Sequence, residues 1–376
     1  MVQQIGNKVS VIDDRAAPGS PLTKTETKKT VYPFVDLVRF IATIGIVFIH
    51  TEAPSPGQNF EAFLHHVHHV EYYLLLRQLF KFSTICYFLI AGFLLADKTL
   101  DTNPFKYYLR RLNIIAKPYL LALVIFITIL VITTMHTFQS QYVFSVIKFA
   151  AFYTPFWYVP NYLLCLLIIV GFYKYTSSLY FGGLLFLITL SYSYFDVYSA
   201  THTGSHTTAL FGFVFYMWLG VYIKKSNLVE KIKQISPVIT GAILLLLFVL
   251  CNLETHYLFY HTHTHDSLNT LRISNQLYSV AFFVFIISLC TKKPNFGIFN
   301  PRKETYGIYL YHSFFFFFVI PYTEAWLSPM LNINLVSYNI YHLLAITFIN
   351  FIICYLASTA FVKLLLRFKL AYLPNM

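Results

Sequence analysis

The stretch from Val31 to His50, VYPFVDLVRFIATIGIVFIH, is apolar and long enough to cross a bilayer as one helix, and this restricts what the rest of the chain can become. In hydrocarbon a backbone must satisfy its own N–H and C=O groups, so only helices and closed barrels span membranes. Barrel strands read as short alternating segments, whereas here apolar runs of about 17 to 25 residues recur along the chain. The composition agrees. Of 376 residues 57% are hydrophobic, 19% aromatic and only 11% charged, with a mean hydropathy of +0.61, where a soluble domain carries about a quarter charged residues. The expected class is an all-α, polytopic integral membrane bundle. Its net charge of +12 does not point to nucleic acid, because the basic residues punctuate the apolar runs instead of forming one face.

Three polar residues interrupt the first span: Asp36, Arg39 and His50. At 100° per residue, the eleven steps from Arg39 to His50 make three turns plus about 20°, so the two side chains share a face about 16 Å apart along the axis. Asp36 lies one turn before Arg39 and offsets its charge locally. Such groups are costly at membrane depth and usually line a bundle interior or a wet cavity. The plainer alternative is an entry-end ion pair with Arg39 snorkelling to lipid phosphates and His50 in the far headgroup layer.

Residues 1 to 30 are polar and mixed in charge, which reads as a disordered cytoplasmic tail with no signal peptide. Further apolar runs follow at about Tyr72–Ala96, Leu112–Thr134, Phe156–Tyr173, Ser178–Phe195, Ala209–Ile223, Ile235–Cys251, Ile273–Leu289, Thr305–Ile320 and Tyr338–Val362, with Met135–Pro155 an amphipathic loop. The membrane domain is thus expected over residues 31–362, in about ten spans, and residues 363–376 as a short basic tail. No appended soluble domain is expected after it. Roughly twenty of the 27 Lys and Arg fall in the tails and the even-to-odd loops, which places both termini in the cytoplasm and His50 towards the outer surface of the cytoplasmic membrane. Cys86, Cys165, Cys251, Cys290 and Cys354 all lie in or beside apolar segments without paired spacing and read as free thiols.

DLVRFIATIGIVFIH resembles the first transmembrane helix of the membrane-bound acyltransferase-3 family, whose signature is an Arg, ten residues, then a His. Four further blocks are similar to the family pattern in the expected order: ICYFLIAGFLL, the basic loop ending LRRLNIIAKPY, the aromatic FWYVPNYL, and TYGIYLYH. The chain departs from the pattern three places after Arg111, where the family often repeats an arginine and Ile114 stands instead.

The resemblance implies transfer of an acyl group, usually acetyl, from a cytoplasmic thioester to a hydroxyl of a cell-envelope or secreted polysaccharide. Acetyl-CoA or succinyl-CoA would be a co-substrate and not a bound cofactor. Its phosphates need cations at the inner face, for which Arg39, Arg110 and Arg111 are available, arginine being suited to forked phosphate contacts. Arg110 and Arg111 serve equally as a topology signal. His50 is the candidate base for the acceptor hydroxyl, or the site of a transient acyl-histidine, with Asp36 and Arg39 organising the donor end. Tyr309 and His312, one turn apart, either line the acceptor channel, orient His50 or simply fill the core. Trp157 and Tyr158 form either an interfacial belt or a sugar-stacking platform.

The implied partners are the acyl-CoA, a glycan acceptor, the bilayer and polysaccharide-synthesis machinery, with no nucleic acid. The histidine clusters His65, His66, His68, His69 and His261, His263, His265, with Glu61, Glu71, Glu254 and Asp266 nearby, lack the spacing of a defined zinc motif, so no metal is expected. The rival reading is an exporter or flippase for polysaccharide or lipid-linked sugar, in which the polar stripe is a translocation path and no acyl bond forms.

Overall fold

The computed structural model describes residues 32–51, 63–97, 103–134, 140–199, 206–262, 266–331 and 339–368. The N-terminal tail expected over residues 1–30 lies outside the described residues, as do residues 369–376 of the C-terminal one. Those described are helical almost throughout: α1 (Pro33–His50), α2 (Glu71–Phe80), α3 (Ser83–Leu95), α4 (Pro104–Thr134), α5 (Ser140–Phe152), α6 (Tyr158–Gly171), α7 (Leu179–Ser193), α8 (Val214–Lys225), α9 (Leu228–Lys233), α10 (Pro237–His261), α11 (Ile273–Leu289), α12 (Pro301–Phe318), α13 (Ile320–Leu331) and α14 (Ile340–Arg367). Among them no sheet forms, and one isolated bridge joins His68 to Asn339.

Six described spans are long and apolar enough to cross a bilayer, α2 and α3 counting as one, or seven if the bent pair α5 and α6 is another. Three expected spans are helices that fall short of that standard: α8 has 12 residues and α11 has 17, while α12 carries polar residues along its length. The expected loop Met135–Pro155 is largely a helix instead. Its apolar run QYVFSVIKFAAF holds no breaker before Pro155, so α5 continues to Phe152. There Thr154 caps a short turn by accepting from the Phe156 N–H, and the chain bends by 67° into α6. At the other end α14 runs through Lys363 to Arg367, five residues past the expected boundary.

The helices divide into an inner and an outer set. In α1 and in α2–α3, 61% and 72% of the most apolar window is buried inside the protein, against 17% for α10 and 28% for α4. The outer faces of α4, α7, α10 and α14 present Leu121, Val124, Leu184, Leu187, Leu245, Leu246, Leu253, Ile352 and Leu356 outwards. Water would penalise such a surface, and lipid satisfies it. At the centre α1 packs on α12, α3, α2, α14 and α11, and none of its residues is exposed.

Close approach inside the bundle depends on glycine where α3 crosses α8. A Cβ on Gly92 would lie 1.8 Å from the Met217 carbonyl oxygen, and one on Gly220 would lie 2.1 Å from the Leu89 carbonyl oxygen. Each helix therefore needs its glycine to admit the other's backbone. All five cysteines are buried free thiols.

Candidate functional site

Both ends of the α1 stripe are met by α12. At the Arg39 end, Arg302 in the first turn of α12 donates to both oxygens of Asp36, from Nε at 3.0 Å to each and from Nη2 to Oδ2 at 2.6 Å. Arg39 stands farther off, 3.9 Å from Asp36 Oδ1. The carboxylate expected to offset Arg39 is thus claimed chiefly by a fork from another helix. Arg39 is only 11% exposed, and its guanidinium donates no hydrogen bond to any described residue.

Arg302 and Arg111 are the other guanidiniums within electrostatic reach of Arg39. Arg111 projects from α4 and donates from Nε to the Tyr107 hydroxyl at 3.2 Å. Arg110, its neighbour in sequence, faces outwards and takes no part. Guanidiniums from two other helices therefore stand within reach of Arg39, and only Arg302 is neutralised by a close carboxylate, an arrangement suited to an anion.

At the other end, His50 closes α1 and His312 lies fully buried in α12, with His312 Nε2 3.2 Å from His50 Nδ1. His312 Nδ1 is 2.7 Å from the Tyr309 carbonyl oxygen and 3.2 Å from that of Ile308. A carbonyl only accepts, so Nδ1 of His312 carries the hydrogen and its Nε2 is bare. The Nδ1–H of His50 then donates to that Nε2, which leaves His50 Nε2 with its lone pair free. Arg77 of α2 fixes the end of α1 from the side by donating to the Ile49 carbonyl at 2.5 Å and to the Tyr73 hydroxyl at 2.7 Å.

A run of aromatic rings joins the two ends. From the Arg39 turn, Thr43 meets the Tyr87 hydroxyl at 2.6 Å, the Tyr87 ring lies 6.3 Å from that of Tyr158, and Tyr158 lies 5.4 Å from Tyr309. Tyr309 is 6.1 Å from His312, and His312 is 5.2 Å from His50. Tyr162 and Tyr306 flank this series, 6.2 Å from Tyr158 and from Tyr309. The path is bounded by α1, α3, α6 and α12.

Of the residues singled out in the sequence, the structure brings Asp36, Arg39 and Arg111 together at one end, and His50, His312 and Tyr309 towards the other. Trp157 is set apart. It is buried against Phe213 and edge-on to His206 at 5.3 Å, with no face open for stacking a sugar. His206 in turn lies 3.2 Å from Asp266. Residues that sequence reasoning passed over include Arg302, taken only as a topology charge, and Arg77, Tyr87, Tyr162, Tyr306 and His206. Arg302 had a signal: it precedes His312 by ten residues, a second cation and imidazole at nearly the spacing of Arg39 and His50.

Among the described residues no group of three or more His, Cys, Asp or Glu is placed to hold a metal. His65 stacks on Phe259 at 4.1 Å, while His263, His265 and Glu61 lie outside the described residues.

Comparison with curated proteins and with solved structures returns no match. A family model described as an acyltransferase domain matches residues 32–359. That match takes in every helix from α1 through most of α14, and with it both ends of the stripe, so the chain belongs to the acyltransferase-3 family.

Proposed function

We propose that the protein transfers an acyl group, acetyl in the first instance and succinyl as the variant, from acyl-CoA to a hydroxyl of a cell-envelope or secreted polysaccharide. The observation that carries this reading is Arg39: a guanidinium inside the bundle that pairs only loosely with Asp36, at 3.9 Å, and donates no hydrogen bond to a described residue, at the start of an aromatic path that ends on a histidine with a free ring nitrogen. Buried donors without partners are costly, and a phosphate supplies the acceptors they lack.

In this reading Arg39, Arg111 and Arg302 hold the donor phosphates, and Asp36 keeps Arg302 in place. The acyl thioester extends towards His50. As the acceptor oxygen attacks the thioester carbonyl, His50 Nε2 takes the hydroxyl proton. The tetrahedral intermediate collapses with loss of the CoA thiolate, which receives the proton from the imidazolium, leaving an ester and free CoA. His312 holds His50 in the tautomer that exposes Nε2, the service a carboxylate performs in hydrolase triads. Ten spans with both termini in the cytoplasm, in the cytoplasmic membrane, put the arginines on the side where acyl-CoA is found and His50 on the side of the glycan.

The test is transfer of label from acetyl-CoA to candidate glycans by the purified protein. Ester formation that His50→Ala abolishes supports the proposal. Wild-type rates from His50→Ala would remove His50 from the mechanism. A deletion strain that loses surface chains while the remaining chains keep their acyl esters would favour export instead.

A further inference from the structure

Of the five tyrosine hydroxyls along the aromatic path, three are already engaged. That of Tyr87 meets Thr43 and the Arg39 carbonyl, that of Tyr306 donates to the Ile115 carbonyl at 2.9 Å, and that of Tyr309 donates to the Pro155 carbonyl. Tyr158 and Tyr162 are different. Neither hydroxyl makes a hydrogen bond to a described residue, and neither oxygen is among the polar atoms sealed in packing. Tyr162 lies within reach of Arg111 and Arg39, at the phosphate end, whereas Tyr158 stands between the two ends.

The position is a central one. The Tyr158 ring contacts Tyr87, whose hydroxyl is tied to the turn just after Arg39, and Tyr309, one turn before His312. It is also held firmly, by Phe88 at 5.0 Å, Tyr162 at 6.2 Å and Trp157 at 6.2 Å. A phenol fixed by five aromatic neighbours and left without an acceptor is a preorganised donor, and such donors act most strongly on charge that develops during a reaction.

We infer that Tyr158 is a catalytic residue whose O–H donates to the thioester carbonyl oxygen of the acyl donor and stabilises the oxyanion formed when the acceptor attacks. No proton is transferred to that oxygen; the hydrogen bond strengthens as the C=O π electrons move onto it and weakens as the C–S bond breaks. The inference rests on the acyl-transfer reading above.

Tyr158→Phe removes one oxygen atom that no described residue uses. The expected result is a kcat about 10- to 100-fold lower, with the KM for acetyl-CoA within about twofold of wild type and an unchanged unfolding temperature. An unchanged kcat, or a raised KM with kcat intact, overturns the assignment. If the Phe variant unfolds at lower temperature, 3-fluorotyrosine at position 158 decides, since its more acidic phenol is the better donor: kcat at or above wild type supports the hydrogen bond, and a lower kcat overturns it. Wild-type protein in the same assay separates the two levels. Wild type that transfers no label sinks acyl transfer itself, whereas an active wild type equalled by Tyr158→Phe sinks only the role of Tyr158.

Discussion

The chemistry assigned to Arg39 depends on its fork of N–H donors, which a lysine does not reproduce. Arg39→Lys keeps the charge and should raise the KM for acetyl-CoA about tenfold or more while kcat changes little, read from initial rates at saturating glycan. His312 answers a different question. His312→Leu deletes the acceptor that fixes the His50 tautomer and should lower kcat by at least about tenfold. His312→Gln places an amide oxygen near the lost Nε2 and should recover part of that loss. Equal rates for the two variants would show that His312 is only packing.

At the scale of elements, the crossing of α3 and α8 admits no side chain at either glycine, because carbonyl oxygens occupy the space where a Cβ would stand. Gly92→Val or Gly220→Val should cost about 1–3 kcal/mol or prevent assembly altogether, measured as a fall in unfolding temperature in detergent. The loop between α10 and α11 makes an electrostatic prediction. Burial alone would raise the Asp266 carboxyl, but the His206 imidazole 3.2 Å away, with the fields of Lys81 and Arg272, holds it below the usual carboxylate range. A carboxyl with a depressed folded pKa adds stability above its unfolded value, near about 4, and that stability is lost as pH falls towards the folded value. Thermal stability of the wild type should therefore decline below about pH 4 more steeply than that of Asp266→Asn.

Seen as a whole molecule, the membrane class and the run of apolar segments were legible in the sequence because a spanning helix has a minimum length and little tolerance for charge. The stripe on α1 was legible because helical periodicity fixes which residues share a face. What periodicity cannot show is which helix turns towards which. Arg302 reads as a loop charge in the sequence because its partner, Asp36, lies 266 residues away, and Trp157 stays open between an interfacial belt and a platform because its burial against Phe213 comes from a distant turn. The Tyr158 hydroxyl was likewise unreadable, since being left without a partner is a property of the assembled bundle. The proposed orientation has its own check: in a cysteine-free background, membrane-impermeant thiol labelling should reach Lys231→Cys, in the basic helix α9 between the sixth and seventh expected spans, only from the cytoplasmic side.

Because Asp36 meets Arg302 and His50 meets His312, α1 and α12 run in parallel and are riveted at two points. The rivets are 14 residues apart on one helix and 10 on the other, about 21 Å against 15 Å of rise, and the length of the Arg302 side chain spans much of the difference. Two rods fastened twice cannot slide past each other. Whatever opens to admit a donor or release a product must then be found among the surrounding helices, and loosening the rivet at Asp36 should be felt as disorder at an imidazole three turns beyond Arg39.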